Sequence, residues 1–211
     1  MIRGSGKIAE SYETEYGMDA PEWDMISSDI KSMRIEGKIT RVSDYFSGIS
    51  GLPNMTSLKL SKHIKQIGQG AFRSSAKLKS VKLKNGLKRI QKDAFANSGL
   101  REISIPKSVK KIEDSVFRGC DKLKKVSFAE GVEKTGQLMF WGCNNLKKVE
   151  LPKSLKVIER SCFLATGLER ITIPENVEEI GDLSFAQSST KKAKLKEVTI
   201  KSKKITKWGK D

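Results

Sequence analysis

Three kinds of residue in this sequence could carry chemistry: one histidine, three cysteines and a large excess of lysine and arginine. Histidine is the usual proton carrier of acid–base catalysis near neutral pH, and the single one here, His63, lies in a turn with no triad-like set of partners around it. Ser108-Val109-Lys110-Lys111 has the spacing of a lysine-activated serine, but the companion motifs and helical setting of that chemistry are missing. Gly68-Gln69-Gly70 runs into Ala71-Phe72 and is part of a repeated pattern, not a phosphate loop. Cys120 and Cys143 stand 23 residues apart. If they share one register of a stacked repeat they approach to about 5 Å, within disulfide reach. The favoured alternative is a column of small buried free thiols, with Cys162 one residue before Phe163. No Cys/His spacing suggests zinc. Asn54-Met55-Thr56 is a glycosylation sequon that matters only in a eukaryotic secretory pathway. Trp141 and Trp208 read as core or cap packing ahead of edge anchors. The expectation is a chain without enzymatic activity, cofactor or metal.

The elements behind these residues are set by a repeat. The 211 residues are 37% hydrophobic and 31% charged, thin for a compact globule and too apolar for disorder, which suits an elongated fold. Phenylalanine recurs at Phe72, Phe95, Phe117, Phe140, Phe163 and Phe185, at intervals of 22 or 23 residues. Ile67, Ile90, Ile112, Thr135, Ile158 and Ile180 precede these rings by five residues. Leu78, Leu100, Leu123, Leu146 and Leu168 follow them by five or six and open alternating stretches such as LKSVKL (78–83) and LERITI (168–173). Alternation of period two marks a strand with one wet face. Pro106, Pro152 and Pro174 end such strands, since a residue without a backbone N–H belongs at a strand's end. One unit cannot bury its own apolar face, so copies must stack into continuous columns.

These residues closely resemble leucine-rich repeats of the bacterial surface-protein type, called BspA-like, with the unit LxxIxIPxxVxxIGxxAFxxCxx. The match spans about 58–200 and is nearly complete in IPKSVKKIEDSVFRGCDKL (105–123). A starting cap of that family is similar to Ile2-Arg3-Gly4-Ser5-Gly6-Lys7-Ile8 followed by Ala20-Pro21-Glu22-Trp23. The resemblance implies an α/β leucine-rich repeat solenoid of about seven coils, with a parallel sheet on the concave face and short strand or helical turns on the convex side. The expected division is an acidic cap segment at 1–29, the solenoid at 30–200, and the start of a further repeat or a tail at 201–211. The first coil is atypical, with a longer loop at 48–55, and 187–194 is an insertion. With no closing unit after the last strand, the chain is expected to be a segment of a longer protein. No run of about 18 apolar residues could cross a membrane, and the first residues lack a signal peptide's apolar core.

Charge is uneven. The chain is +16, yet residues 1–29 carry two basic and seven acidic groups, leaving +21 on residues 30–211. The outward strand positions form two columns, Lys59, Lys82, Ser104, Ser127, Glu150, Thr172, Thr199 and Ser57, Ser80, Glu102, Lys125, Lys148, Arg170, Glu197. This is a mixed, hydroxyl-rich surface without the exposed aromatics that stack bases. The candidate binding residues are Lys59, Lys82, Ser104, Lys125, Ser127, Lys148, Glu150, Arg170 and Thr172. The resemblance implies a non-enzymatic adhesion module, monomeric as a fragment, at a bacterial surface or secreted, recognising a protein ligand or matrix component. Two alternatives stand beside it: an electrostatic binder of acidic glycan, cell-wall polymer or nucleic acid, and a spacer that carries an appended enzyme domain.

Overall fold

The computed structural model describes residues 28–44, 46, 51–187 and 194–210, together with the backbone of three short strands, β1 (Ser5–Lys7), β2 (Tyr12–Glu13) and β3 (Asp19–Ala20). Most of the cap motif, the acidic Glu10, Glu15, Glu22 and Asp24, and the insertion at 188–193 lie outside the described residues. The chain is a parallel β-solenoid of about seven coils with the leucine-rich repeat fold. Its first ladder holds β4 (Ser32–Arg34), β6 (Ser57–Lys59), β9 (Glu102–Ile105), β11 (Lys125–Phe128), β12 (Lys148–Glu150), β14 (Arg170–Ile173) and β16 (Glu197–Ile200). The second holds β5 (Lys38–Val42), β7 (Gln66–Ile67), β8 (Arg89–Ile90), β10 (Lys111–Ile112), β13 (Val157–Ile158), β15 (Glu179–Ile180) and β17 (Lys207–Trp208). Pairs between coils are all parallel, and β1 extends the second ladder by pairing with β5.

Two features depart from expectation. No helix occurs among the described residues, so the α/β class and the helical turns are replaced by strands and turns alone. The reason is backbone geometry on the third side, the arc around each Phe. Residues two before and two after the ring take left-handed φ, as at Asp93 (56°) and Asn97 (56°), or Ser161 (54°) and Ala165 (56°). A helix cannot run through left-handed residues. The second departure is in the first ladder. LKSVKL contributes only one bridge, Leu58 to Val81, and the ladder is interrupted there and again between β12 and β14. Past Leu83 the chain turns tightly around Gly86 (φ 117°), with the Leu87 N–H bonded to the Lys84 carbonyl at 3.2 Å.

Hydrogen bonds tie coils in both directions. Along the two ladders bonds run both ways, from later coil to earlier as from Lys124 to Arg101 and Gln91 to Ile67, and from earlier to later as from Ile35 to Lys59 and Thr135 to Val157. In the arc the N–H groups of Asn97, Phe117 and Gly142 donate to Arg118, Met139 and Leu164 of the following coil. Inside, Phe46, Phe72, Phe95, Phe117, Phe140, Phe163 and Phe185 form one column with neighbouring centroids 5.4 to 5.9 Å apart. From Phe72 onward the rings are stacked. Thr135, the polar residue in the isoleucine column, is buried and its hydroxyl accepts a hydrogen bond from the Glu159 N–H at 2.9 Å.

The three cysteines are free and fully buried. Cys120 and Cys143 donate to the carbonyls of Phe95 and Phe117, each at 3.1 Å. The disulfide reading is thereby replaced by the thiol column. Burial pushes the Cys120 thiol up to about 11 and the Cys162 thiol to about 12, from 9.0. A raised folded-state value means these thiols support the fold fully below pH 9 and lose that contribution as pH climbs towards 11. Iodoacetamide at pH 8 is therefore expected to leave the native protein unlabelled and to label all three cysteines after denaturation. Rapid native labelling, read by intact mass, would contradict the burial.

Candidate binding surface

The outward face of the first ladder carries the residues singled out from the sequence, and strand register decides which of them meet. Glu102, Lys125 and Lys148 lie side by side on β9, β11 and β12, as do Ser104, Ser127 and Glu150. Arg170 and Thr172 face Glu197 and Thr199 on β16. Lys59 faces Arg34, and the Leu58–Val81 bridge places Lys82 next in line. The nine candidates therefore fall into three groups separated by the two interruptions of the ladder.

Each group has its own electrostatics. In the central group the Glu150 carboxylate takes Lys148 at 2.9 Å and Lys125 at 3.7 Å. The hydrogen bond from Lys148, then the charge of Lys125, holds the Glu150 carboxyl below its ordinary range. The Ser104 and Ser127 hydroxyls are hydrogen-bonded at 3.1 Å. In the C-terminal group Arg170 pairs with Glu197 at 3.3 Å. These pairs consume the charge that the composition had counted as free. Lys59 and Lys82, by contrast, form no ion pair among the described residues.

Sequence reasoning missed the cavity at the first interruption. It has a volume of about 680 Å³ and is lined by the hydroxyl-bearing Ser80, Ser104 and Ser127, the carboxylate of Glu102 and the apolar Val81, Leu83 and Phe128. No alternation rule could have revealed it, because Ser80–Leu83 has the same pattern as the strands that do pair. His63 lies near the N-terminal group, half-buried, with its backbone N–H donating to the Ser61 hydroxyl at 3.2 Å. Both tryptophans correct the core reading. Trp141 is 39% exposed on the arc side under the Arg118 guanidinium, 5.6 Å from the ring centroid. Trp208 occupies the inward register of Ile180 on β17 yet is 50% exposed. Among the described residues no group of histidine, cysteine and carboxylates could hold a metal, and no helix is long and apolar enough to cross a membrane.

A family profile described as "BspA type Leucine rich repeat region", with six copies, matches residues 25–120, 48–164 and 88–210. Among solved structures, a leucine rich cell surface protein of Faecalibacterium prausnitzii is 24% identical, with a TM-score of 0.61 over 96% of this chain and 48% of that one. The chain thus spans about half the length of that protein. The Leucine Rich Repeat protein of T. pallidum is 22% identical, with a TM-score of 0.63 over 76% of this chain and 79% of that one. A leucine-rich repeat protein of Bacteroides ovatus is 17% identical, with a TM-score of 0.54 over 99% of this chain and 71% of that one. At these identities the likeness establishes the fold. No protein of curated function matches.

Proposed function

We propose, for a chain that belongs to the BspA type leucine rich repeat family, that it is a non-enzymatic binding module of a bacterial surface or secreted protein and captures partner proteins through the outward face of its first ladder. Leucine-rich repeat proteins of this type are generally protein-interaction modules. The observation that carries the reading here is the 680 Å³ cavity where the ladder opens beside Ser80, Ser104 and Ser127. A concave site with a few convergent hydroxyls, flanked by Lys125, Lys148 and Glu150, is what a hydrogen-bonding anchor from a partner needs. Stacked coils hold these groups before binding, so little entropy is lost on association. A surface location is supported by the F. prausnitzii relative, described as a cell surface protein.

The test is an array of matrix and host-surface proteins probed with the purified chain. One or a few saturable partners are expected. Placing bulk in the cavity by Ser104→Arg with Ser127→Arg should weaken capture about tenfold or more, a loss of about 1.4 kcal/mol, without lowering the melting temperature. Saturable capture that ignores the double variant, or no saturable partner, would sink the proposal.

A further inference from the structure

A second cavity, of about 690 Å³, opens over the first three coils, on the same face but at the N-terminal end. Its lining carries Arg34, Lys38, Lys59, Lys62, Lys82 and Lys84, against a single acidic residue, Glu36. Glu36 pairs with Arg34 at 3.3 Å, whereas the five lysines form no ion pair among the described residues. This differs from the rest of the face, where Glu150 and Glu197 neutralise the cations around them. Register explains the concentration. Arg34 and Lys59 are aligned on paired strands and Lys82 follows through the Leu58–Val81 bridge, so three cations stand in a row at strand spacing, about 4.8 Å. Such a row costs stability through mutual repulsion, and the fold obtains nothing from it that neutral residues would not give.

We infer that this cavity is a binding site for a polymeric tetrahedral oxyanion, a chain bearing phosphate or sulfate groups. Five of its six cations are lysines, compact point charges that follow a tetrahedral oxyanion without a fixed fork geometry. The one arginine, whose fork would suit a carboxylate or a phosphate alike, is already engaged by Glu36, which leaves the lysines as point charges of the kind that bind phosphate. No Phe, Tyr or Trp lines the cavity and the half-buried His63 is its one aromatic ring, so there is no platform on which successive bases or sugars could stack. Five lysines without an ion pair among the described residues, spread over the first coils, suit a polymer better than a single small ion. This cavity shares Lys82 with the central one that carries protein capture, whereas Lys38, Lys59, Lys62 and Lys84 line this one alone.

The probes are a short inorganic polyphosphate, a size-defined heparin oligosaccharide and a poly-glutamate of matched charge, titrated against the whole chain by fluorescence anisotropy. Both oxyanion polymers are expected to bind more tightly than poly-glutamate, and the tighter of the two names the source, phosphate or sulfate. Lys59→Glu with Lys82→Glu should weaken them about tenfold or more, while Lys77→Glu with Lys122→Glu, exposed turn positions with the same charge change, should shift affinity less than about twofold. Lys62→Ala with Lys84→Ala, a milder change, should lower the slope of log affinity against log salt by about two. Equal loss in both reversal variants would reduce the binding to diffuse charge and overturn the site. Poly-glutamate binding as tightly as the oxyanions, or no binding at low salt, would overturn it too. Ser104→Arg with Ser127→Arg should keep polymer binding, so failure here and failure of the protein-capture reading are separable.

Discussion

Phe140→Ala is expected to lower the unfolding free energy by about 3–5 kcal/mol, the range for emptying a well-packed aromatic site. The ring is fully buried and meets Phe117 at 5.7 Å, Phe163 at 5.4 Å and, edge-on, Phe128 at 6.4 Å. Stacking of this kind adds about 0.5–1.5 kcal/mol per pair beyond the apolar area removed from water. The neighbours cannot close the hole, because the backbones of Phe117, Phe140 and Phe163 are each hydrogen-bonded to the coil beyond, as Phe140 is to Cys162 at 2.9 Å. A solenoid is a one-dimensional array, so weakening one internal junction should also split its unfolding into two steps. Urea titration followed by circular dichroism reads both effects, and Phe140→Leu should retain more than half of the lost stability. A single transition shifted by less than about 1 kcal/mol would mean the column is not the spine of the fold.

Gly99→Val should cost about 3 kcal/mol, by a different route. A Cβ built at Gly99 would collide with the backbone carbonyl of Ala76 and come within 3.3 Å of the Leu78 carbonyl. Backbone on both sides leaves nothing flexible to yield. Gly167 meets the Asn144 carbonyl in the same way. These two glycines occur in the coils where Leu follows Phe by five residues, Phe95 to Leu100 and Phe163 to Leu168, not six as from Phe117 to Leu123. With one residue fewer, the chain must cut the corner against the coil before it, and only a residue without a side chain fits. Gly142→Ala is the control: its nearest neighbour is a Cα at 3.9 Å, so the cost is limited to the left-handed φ of 74°, about 1 kcal/mol. Thermal melts of the two variants should differ accordingly. Equal melting temperatures would remove close approach as the reason for Gly99.

Much of this architecture can be read along the chain. Phe72 through Phe185 fall in one column, and the alternation of EISI at 102–105 and RITI at 170–173 sorts exposed from buried positions. The thiol column follows from two cysteines in one register. The arc was harder. Small and polar residues at Ser74, Asn97 and Ala165 hint at left-handed backbone, but Leu183 and Leu138 adopt it as well, and leucine carries no such signal. There the inter-coil hydrogen bonds hold the conformation that local preference would reject.

The sequence by itself determined the period, the inward residues and therefore a stacked parallel solenoid, because burial of a period-two face and a 22- or 23-residue return leaves no other economical packing. Only the tertiary structure decided where the first ladder opens, which acids neutralise which lysines, and that six cations are gathered over the first coils with one carboxylate between them. Those outcomes depend on distances between residues some 23 positions apart in different coils. Composition counts charges, but Coulomb energy depends on separation, and separation here is set by register and turn geometry.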